Sequence, residues 1–116
     1  MESRLIRRAA LTWMIASLAA VSSWSCRAPR PPVSIKNEDT DIKVLAIKKA
    51  AREKDKSAIP QLVEELSNDD PAVRFYAIEA LEELTGQTMD YKYFEDEDGR
   101  KEAVDKWKTW LAQRPK

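Results

Sequence analysis

Side chains able to carry out catalysis are few in this sequence. The chain of 116 residues contains no histidine, the residue type that serves most often as general base or metal ligand. Catalysis would therefore rest on carboxylates, lysines or Cys26, the only cysteine. Neighbouring acids such as Glu64 with Glu65 and Glu82 with Glu83 are typical of solvated helix surface. These features favour a protein that is not an enzyme and that needs no cofactor.

One acidic cluster follows part of the spacing of a calcium-binding loop. It contains Asp96, Asp98, Gly99 and Asp105, but Phe94 would occupy the first ligand position and Asp105 would replace the bidentate glutamate. Both departures fall on essential ligands. Acids at the start of a helix, where negative charge is stabilised, are the better interpretation. We therefore predict no metal site.

Aromatic residues concentrate towards the C-terminal end of the sequence. Trp107 and Trp110 are spaced to lie on one helix face, where they could stack on an aromatic, sugar or cationic ligand. Tryptophans beside other apolar residues of a helix are more often part of a core, and we predict that role for both. Tyr91, Tyr93 and Phe94 lie in a loop that could present them to a partner.

The clearest secondary-structure signals lie in residues 68–86. Asp70 can cap a helix, and Pro71 suits the first helical position because its missing N–H is not needed there. Gly86 can adopt the left-handed conformation that ends a helix. The apolar residues between Pro71 and Gly86 recur at the spacing of one helix face, and they are Val73, Ala77, Ile78, Leu81 and Leu84.

A fainter copy of this segment lies 31 residues upstream, where Asn37 to Lys43 align with Asn68 to Arg74. Periods of about 20–50 residues indicate stacked supersecondary units. Between the copies, residues 57–66 predict a short first helix with Pro60 in its first turn.

This unit resembles a HEAT-type repeat. Residues 70–81 match every fixed position of the pattern Asp-Pro-x-Val-Arg-x-x-Ala-Ile-x-Ala-Leu, and Ile59, Pro60 and Leu62 match the preceding helix. The copy at 39–54 lacks the proline and carries Lys43 in place of the arginine. The residues that would maintain the repeat are Asp70, Pro71, Val73, Arg74, Ala77, Leu81 and Gly86.

The resemblance implies an all-α fold, a short right-handed stack of antiparallel helix pairs with about four helices. It also implies that Arg74 joins Asp39 or Asp70 to fix the stacking. Partner surface in this family comes mainly from the second helix of each pair. Candidate positions here are Lys43, Arg52, Glu79 and Glu83, together with the loop residues Tyr91, Tyr93 and Phe94.

Two further helices are expected, at about 39–54 and 98–113. The first helix is apolar over most of its circumference and lacks the partner helix of its own repeat, so Val33 and Ile35 could provide partial cover. The last helix would cap the stack with Trp107 and Trp110. Since repeat folds normally need about three units, stabilisation by a docked partner or by weak self-association remains open.

The N-terminus has the organisation of a secretory signal peptide. Arg4, Arg7 and Arg8 precede an uncharged, mostly apolar run over residues 9–21, which is shorter than the about 20 residues of a membrane-spanning helix. Small residues then precede Cys26 at the positions that favour cleavage after Ser25.

Cys26 lies where the lipidated cysteine stands in the lipobox of bacterial lipoproteins, which this segment resembles with Ser23 and Trp24 as departures. A lipid on Cys26 would attach the chain to a membrane without spanning it. Plain cleavage and an uncleaved anchor are the alternatives. The predicted organisation is a signal peptide (1–25), a proline-rich tether (26–37) and a helical repeat domain (38–116).

The charge balance of the chain bears on one class of partner, nucleic acid. The chain has 20 basic and 20 acidic residues, and removal of 1–25 leaves 17 and 19, interspersed and without a basic stripe. Nucleic-acid binding is therefore disfavoured. We expect an exported domain of the bacterial cell envelope, lipid-anchored or otherwise periplasmic or secreted, that binds a protein partner as an adaptor or scaffold. A self-associating structural protein and a non-catalytic subunit of an envelope enzyme are the alternatives.

Overall fold

The computed structural model describes residues 33–115, and these form four α-helices without a β-strand. The helices are α1 (Thr40–Arg52), α2 (Ile59–Glu65), α3 (Pro71–Thr85) and α4 (Glu97–Gln113). The all-α prediction is therefore confirmed for this part of the chain. The predicted signal peptide, Cys26 and most of the proline-rich tether lie outside the described residues, and the handedness of the stack stays a prediction.

Helix ends follow the local signals closely. The Asp39 side chain accepts hydrogen bonds from the N–H groups of Asp41 and Ile42 at the start of α1, and Asp70 accepts one from Ala72 at the start of α3. Gly86 ends α3 with a φ of 74°, in the left-handed region. Side-chain acceptors and glycine satisfy backbone groups that a helix end leaves free.

The segment predicted as one helix over 57–66 begins differently. A 3₁₀ turn over Lys56–Ala58 precedes α2, and Asp55 accepts hydrogen bonds from the N–H and hydroxyl of Ser57. Pro60 lies in the first turn of α2, where its missing N–H breaks no helical hydrogen bond.

Helices α1 and α3 pack side by side and run in the same direction. The hydroxyl of Thr40 donates to Asp70 at 3.3 Å, which joins the two helix starts. Lys54, just after α1, pairs with Glu83 near the end of α3 at 2.6 Å. Lys43 near the start of α1 pairs with Glu65 at the end of α2 at 3.0 Å, so α2 runs antiparallel to both.

One apolar core joins the four helices. Trp107 of α4 is fully buried together with Ile47 of α1, Leu62 of α2 and Leu81 of α3. Ile35 also belongs to this core with 5% of its surface exposed, whereas Val33 is 52% exposed. Ile35 thus packs into the folded domain and supplies the partial cover expected of it, whereas the predicted domain bounds stay a prediction.

Candidate functional site

A groove of about 570 Å³ runs between the outward faces of α1 and α3. Leu45 and Tyr76 lie along it, and Leu45 exposes 57% of its surface although it is a large apolar residue. The lining is completed by Lys48, Ala51, Arg52, Glu79, Ala80, Glu82 and Glu83.

The two sides of the groove carry opposite charge. Lys48 and Arg52 on α1 form the basic wall, and Glu79, Glu82 and Glu83 on α3 form the acidic wall. The Lys48 ammonium lies 4.7 Å from the centre of the Tyr76 ring, a cation–π distance. Within residues 33–115, Glu83 is the wall residue that forms an ion pair, and its partner Lys54 lies just after the end of α1, at the groove end.

An aromatic cluster adjoins the groove at Tyr76. Phe75 packs edge to face on Tyr76 at 5.1 Å and on Tyr93 at 5.0 Å, and Tyr93 packs on Phe94 at 5.4 Å between ring centres. Phe94 is 70% exposed, while Tyr93 is half-buried. Of the loop aromatics predicted as partner surface, Phe94 is the one that offers a large apolar face to solvent.

Tyr91 lies in the core, which corrects its assignment to the partner surface. Its hydroxyl donates to the carbonyl oxygen of Leu66 at 2.6 Å. Burial raises the pKa of the Tyr91 phenol, an effect that the positive charges of Arg100 and Arg74 partly oppose. A phenol is amphipathic, so a loop tyrosine can turn inward wherever a buried carbonyl needs a donor.

Lys43 is also less available than predicted. Its side chain and that of Glu65 are each only 13% exposed within their ion pair. The residue thus connects α1 to α2 instead of presenting a free charge. Arg52, by contrast, is exposed and lines the groove.

The predicted pairing of Arg74 with Asp39 or Asp70 is wrong. Arg74 is buried, and its Nη1 donates to the carbonyl oxygens of Asn68 and Asp69, both at 2.8 Å. The two acids act as helix caps, so their oxygens already accept backbone N–H groups. Backbone carbonyl oxygens held in fixed positions can offset the cost of burying a guanidinium, because they accept hydrogen bonds from its N–H groups.

The two tryptophans of α4 occupy different environments. Trp107 is fully buried, and its indole N–H donates to the carbonyl oxygen of Thr88 at 3.2 Å. Trp110 is half-buried, lies edge to face with Trp107 at 5.4 Å and faces Arg114 at 4.8 Å. Only Trp107 therefore has the full core position that we predicted for both.

The acidic cluster at the start of α4 serves the helix end. Asp96 accepts a hydrogen bond from the N–H of Gly99 at 2.8 Å. In the described part of the chain, no three His, Cys, Asp or Glu side chains are grouped so as to hold a metal ion. Among the same residues, no helix combines the length and apolarity needed to cross a membrane.

The repeat period contains a signal for the groove. A shift of 31 residues takes Leu45 to Tyr76 and Lys48 to Glu79, and it takes Arg52 to Glu83. Lining residues thus occupy equivalent positions in the two repeats. Family analogy selected Arg52, Glu79 and Glu83 in advance, but it missed Leu45, Lys48 and Tyr76.

Comparison with known proteins agrees with this architecture. The family model described as HEAT repeats matches residues 33–105, which is more than half of the chain. The match begins at Val33, close to the buried Ile35, and includes α1, α2 and α3. No curated protein and no solved structure matches the chain. The chain belongs to the HEAT-repeat family.

Proposed function

We propose that this chain is a non-catalytic, protein-binding module that a lipid on Cys26 attaches to a bacterial envelope membrane. HEAT repeats generally mediate protein–protein interaction. The groove between α1 and α3 is the surface that receives the partner, and the exposed side chain of Leu45 within it is the observation that carries the proposal. Leu45 lies there beside the half-buried ring of Tyr76, and apolar side chains brought together in a concave surface with charged rims are typical of interaction sites.

The sequence supports the membrane attachment. A basic start and an apolar run precede Cys26, and the prolines of residues 27–32 favour an extended tether between the membrane and the domain. The proposed mechanism is presentation, in which the anchor restricts the domain to a surface and the groove captures a protein there.

Site-specific photo-crosslinking tests the binding surface. A photoreactive amino acid at Leu45 should give a discrete crosslinked product in the membranes of the native host. The same residue placed at the exposed Thr109 on α4 serves as the control and should give none. Glu79→Lys should weaken the Leu45 product, because it reverses one charge of the acidic wall. Equal labelling from Leu45 and Thr109 would contradict the proposal.

Intact mass tests the anchor separately. The mature chain isolated from membranes should start at Cys26 and carry a lipid-sized adduct. A chain that starts at Cys26 without an adduct would remove the lipid from the proposal, and an uncleaved chain would remove the processed signal peptide as well.

A further inference from the structure

We propose that the occupant of the groove is a second copy of this chain, paired about a twofold axis parallel to α1 and α3. This inference rests on the proposed function, since it identifies the protein that the interaction surface binds. In the pair, the basic wall of each copy lies against the acidic wall of the other.

The charge pattern supports this occupant. Equivalent positions in the two repeats carry opposite charge, Lys48 against Glu79 and Arg52 against Glu83. A surface with one basic and one acidic half is complementary to itself after a suitable rotation, and twofold pairs require such self-complementarity.

The direction of the helices selects the axis. Because α1 and α3 are parallel, a twofold axis running between them along their length places α1 of one copy over α3 of the other. An axis in the interface plane at right angles to the helices would place α1 over α1 and therefore like charge over like charge. Like charges across an interface disfavour that arrangement.

The same axis also preserves the register. Rotation about it keeps every residue at its height along the helices. The side-chain contacts of Lys48 with Tyr76 and of Lys54 with Glu83 place the members of each pair near one another along the helix axes. Arg52 of one copy therefore reaches the level of Glu79 and Glu83 of the other. No sliding of the helices is needed to bring the opposite charges together.

Much of the wall charge is available for such contacts. Within residues 33–115, Arg52, Glu79 and Glu82 form no ion pair, whereas Lys54 and Glu83 already pair at the groove end. Leu45 provides the apolar part. The proposed rotation carries it to within about one helical turn of Tyr76 in the other copy.

The size of the face predicts a weak pair. Helices of 13 and 15 residues are about 20 Å long. Two helices packed side by side present a face about 20 Å wide, so the footprint is about 400 Å² per copy, half of the about 800 Å² in a standard interface. Confinement to a membrane surface would raise the effective concentration and compensate for this.

Charge-reversal variants of the full chain test the pair by sedimentation in excess mild detergent. The average mass of the wild type should rise as its concentration increases from about 10 µM to about 500 µM, as expected for a weak pair. Arg52→Glu and Glu79→Arg should each raise Kd about tenfold or more, since the symmetry places two like-charge contacts in every pair. Lys101→Glu, an equal charge reversal on the exposed face of α4, should leave Kd unchanged.

The decisive measurement mixes the two single variants. A mixture of the Arg52→Glu protein and the Glu79→Arg protein should associate as strongly as the wild type. In a pair with one chain of each kind, both contacts again join opposite charges. The proposal would be overturned if neither Arg52→Glu nor Glu79→Arg changed Kd. It would also be overturned if the mixture of these two variants associated no more strongly than each variant alone. A wild type that stays monomeric at the highest concentration would overturn it as well. Far-ultraviolet circular dichroism would verify that each variant is folded.

The mass of the Leu45 crosslinked product separates failure of this inference from failure of the proposed function. A product of two identical chains supports both. A product with a different protein overturns the self-pairing and leaves the interaction module standing, whereas the absence of any groove-specific product contradicts the module itself.

Discussion

The guanidinium Nε of Arg74 donates to the carbonyl oxygen of Tyr93 at 3.0 Å, across 19 residues of sequence. Arg74 belongs to α3, and Tyr93 belongs to the aromatic loop before α4. The same side chain also holds the carbonyls of Asn68 and Asp69 in the turn before α3. One buried residue thus connects the repeat to the loop that leads into the capping helix.

Replacement of Arg74 should destabilise the domain strongly. Arg74→Met leaves three carbonyl groups without their donor, and we expect the free energy of unfolding to fall by about 3 kcal/mol. Arg74→Lys should give an intermediate loss, because an ammonium cannot reproduce the forked geometry. Urea unfolding followed by circular dichroism measures both. Arg52→Met is the matched control on the exposed face, and a loss as large as that of Arg74→Met there would contradict the assignment.

The buried hydroxyl of Tyr91 should contribute measurably to stability. Tyr91→Phe leaves the Leu66 carbonyl without a partner, which we expect to cost about 1–2 kcal/mol in the free energy of unfolding. Tyr93→Phe is the matched control, because Tyr93 contributes its ring and its backbone carbonyl to the contacts of this loop. Equal effects of the two substitutions would show that the Leu66 contact has no special weight.

Tyr91 also predicts a dependence on alkaline pH. Its pKa in the folded state lies above the ordinary value of 10.0, so the folded chain holds the phenolic proton more tightly than the unfolded chain. The corresponding stability is fully present below pH 10.0 and is lost as the pH rises through the raised pKa. Between about pH 9 and pH 11, the wild type should lose stability faster than Tyr91→Phe. Parallel pH curves for the two proteins would contradict this.

Gly86 should be sensitive to substitution through its backbone conformation alone. Its φ is 74°, and a Cβ built there meets nothing within 4 Å. We therefore expect Gly86→Ala to cost about 1 kcal/mol from conformational strain. Gly86→Asn should cost less, since asparagine tolerates the left-handed region better. Thermal unfolding of the two variants compares them directly, and an alanine variant as stable as the wild type would refute the strain argument.

The two tryptophans of α4 should respond unequally. Trp107→Phe removes a buried ring and the hydrogen bond to Thr88, for an expected loss of about 2 kcal/mol. Trp110→Phe changes a half-buried side chain and should cost about 0.5 kcal/mol. Chemical unfolding of both variants measures the difference. A larger loss for Trp110→Phe would contradict the burial of Trp107 and the partial exposure of Trp110.

Local signals in the sequence determined the ends of the helices. The caps at Asp39 and Asp70 and the left-handed Gly86 lie where the sequence predicts them, because each depends on backbone groups within a few residues. The apolar spacing and the repeat pattern likewise led to the all-α fold and to the family. These properties depend on short-range geometry that one sequence already contains.

The directions of the ambiguous side chains depend on contacts between segments that are distant in sequence. Tyr91 and Tyr93 are two residues apart in one loop, yet one reaches Leu66 in the core and the other packs on Phe75. Arg74 bonds to carbonyls instead of the predicted carboxylates, and Leu45 remains exposed whereas Ile47 of the same helix is fully buried. Each outcome depends on what a distant segment offers at that point in space. The spacing of residues along the chain does not predict the burial or the hydrogen-bond partners of these side chains. Both depend on neighbours that come together only when the chain folds.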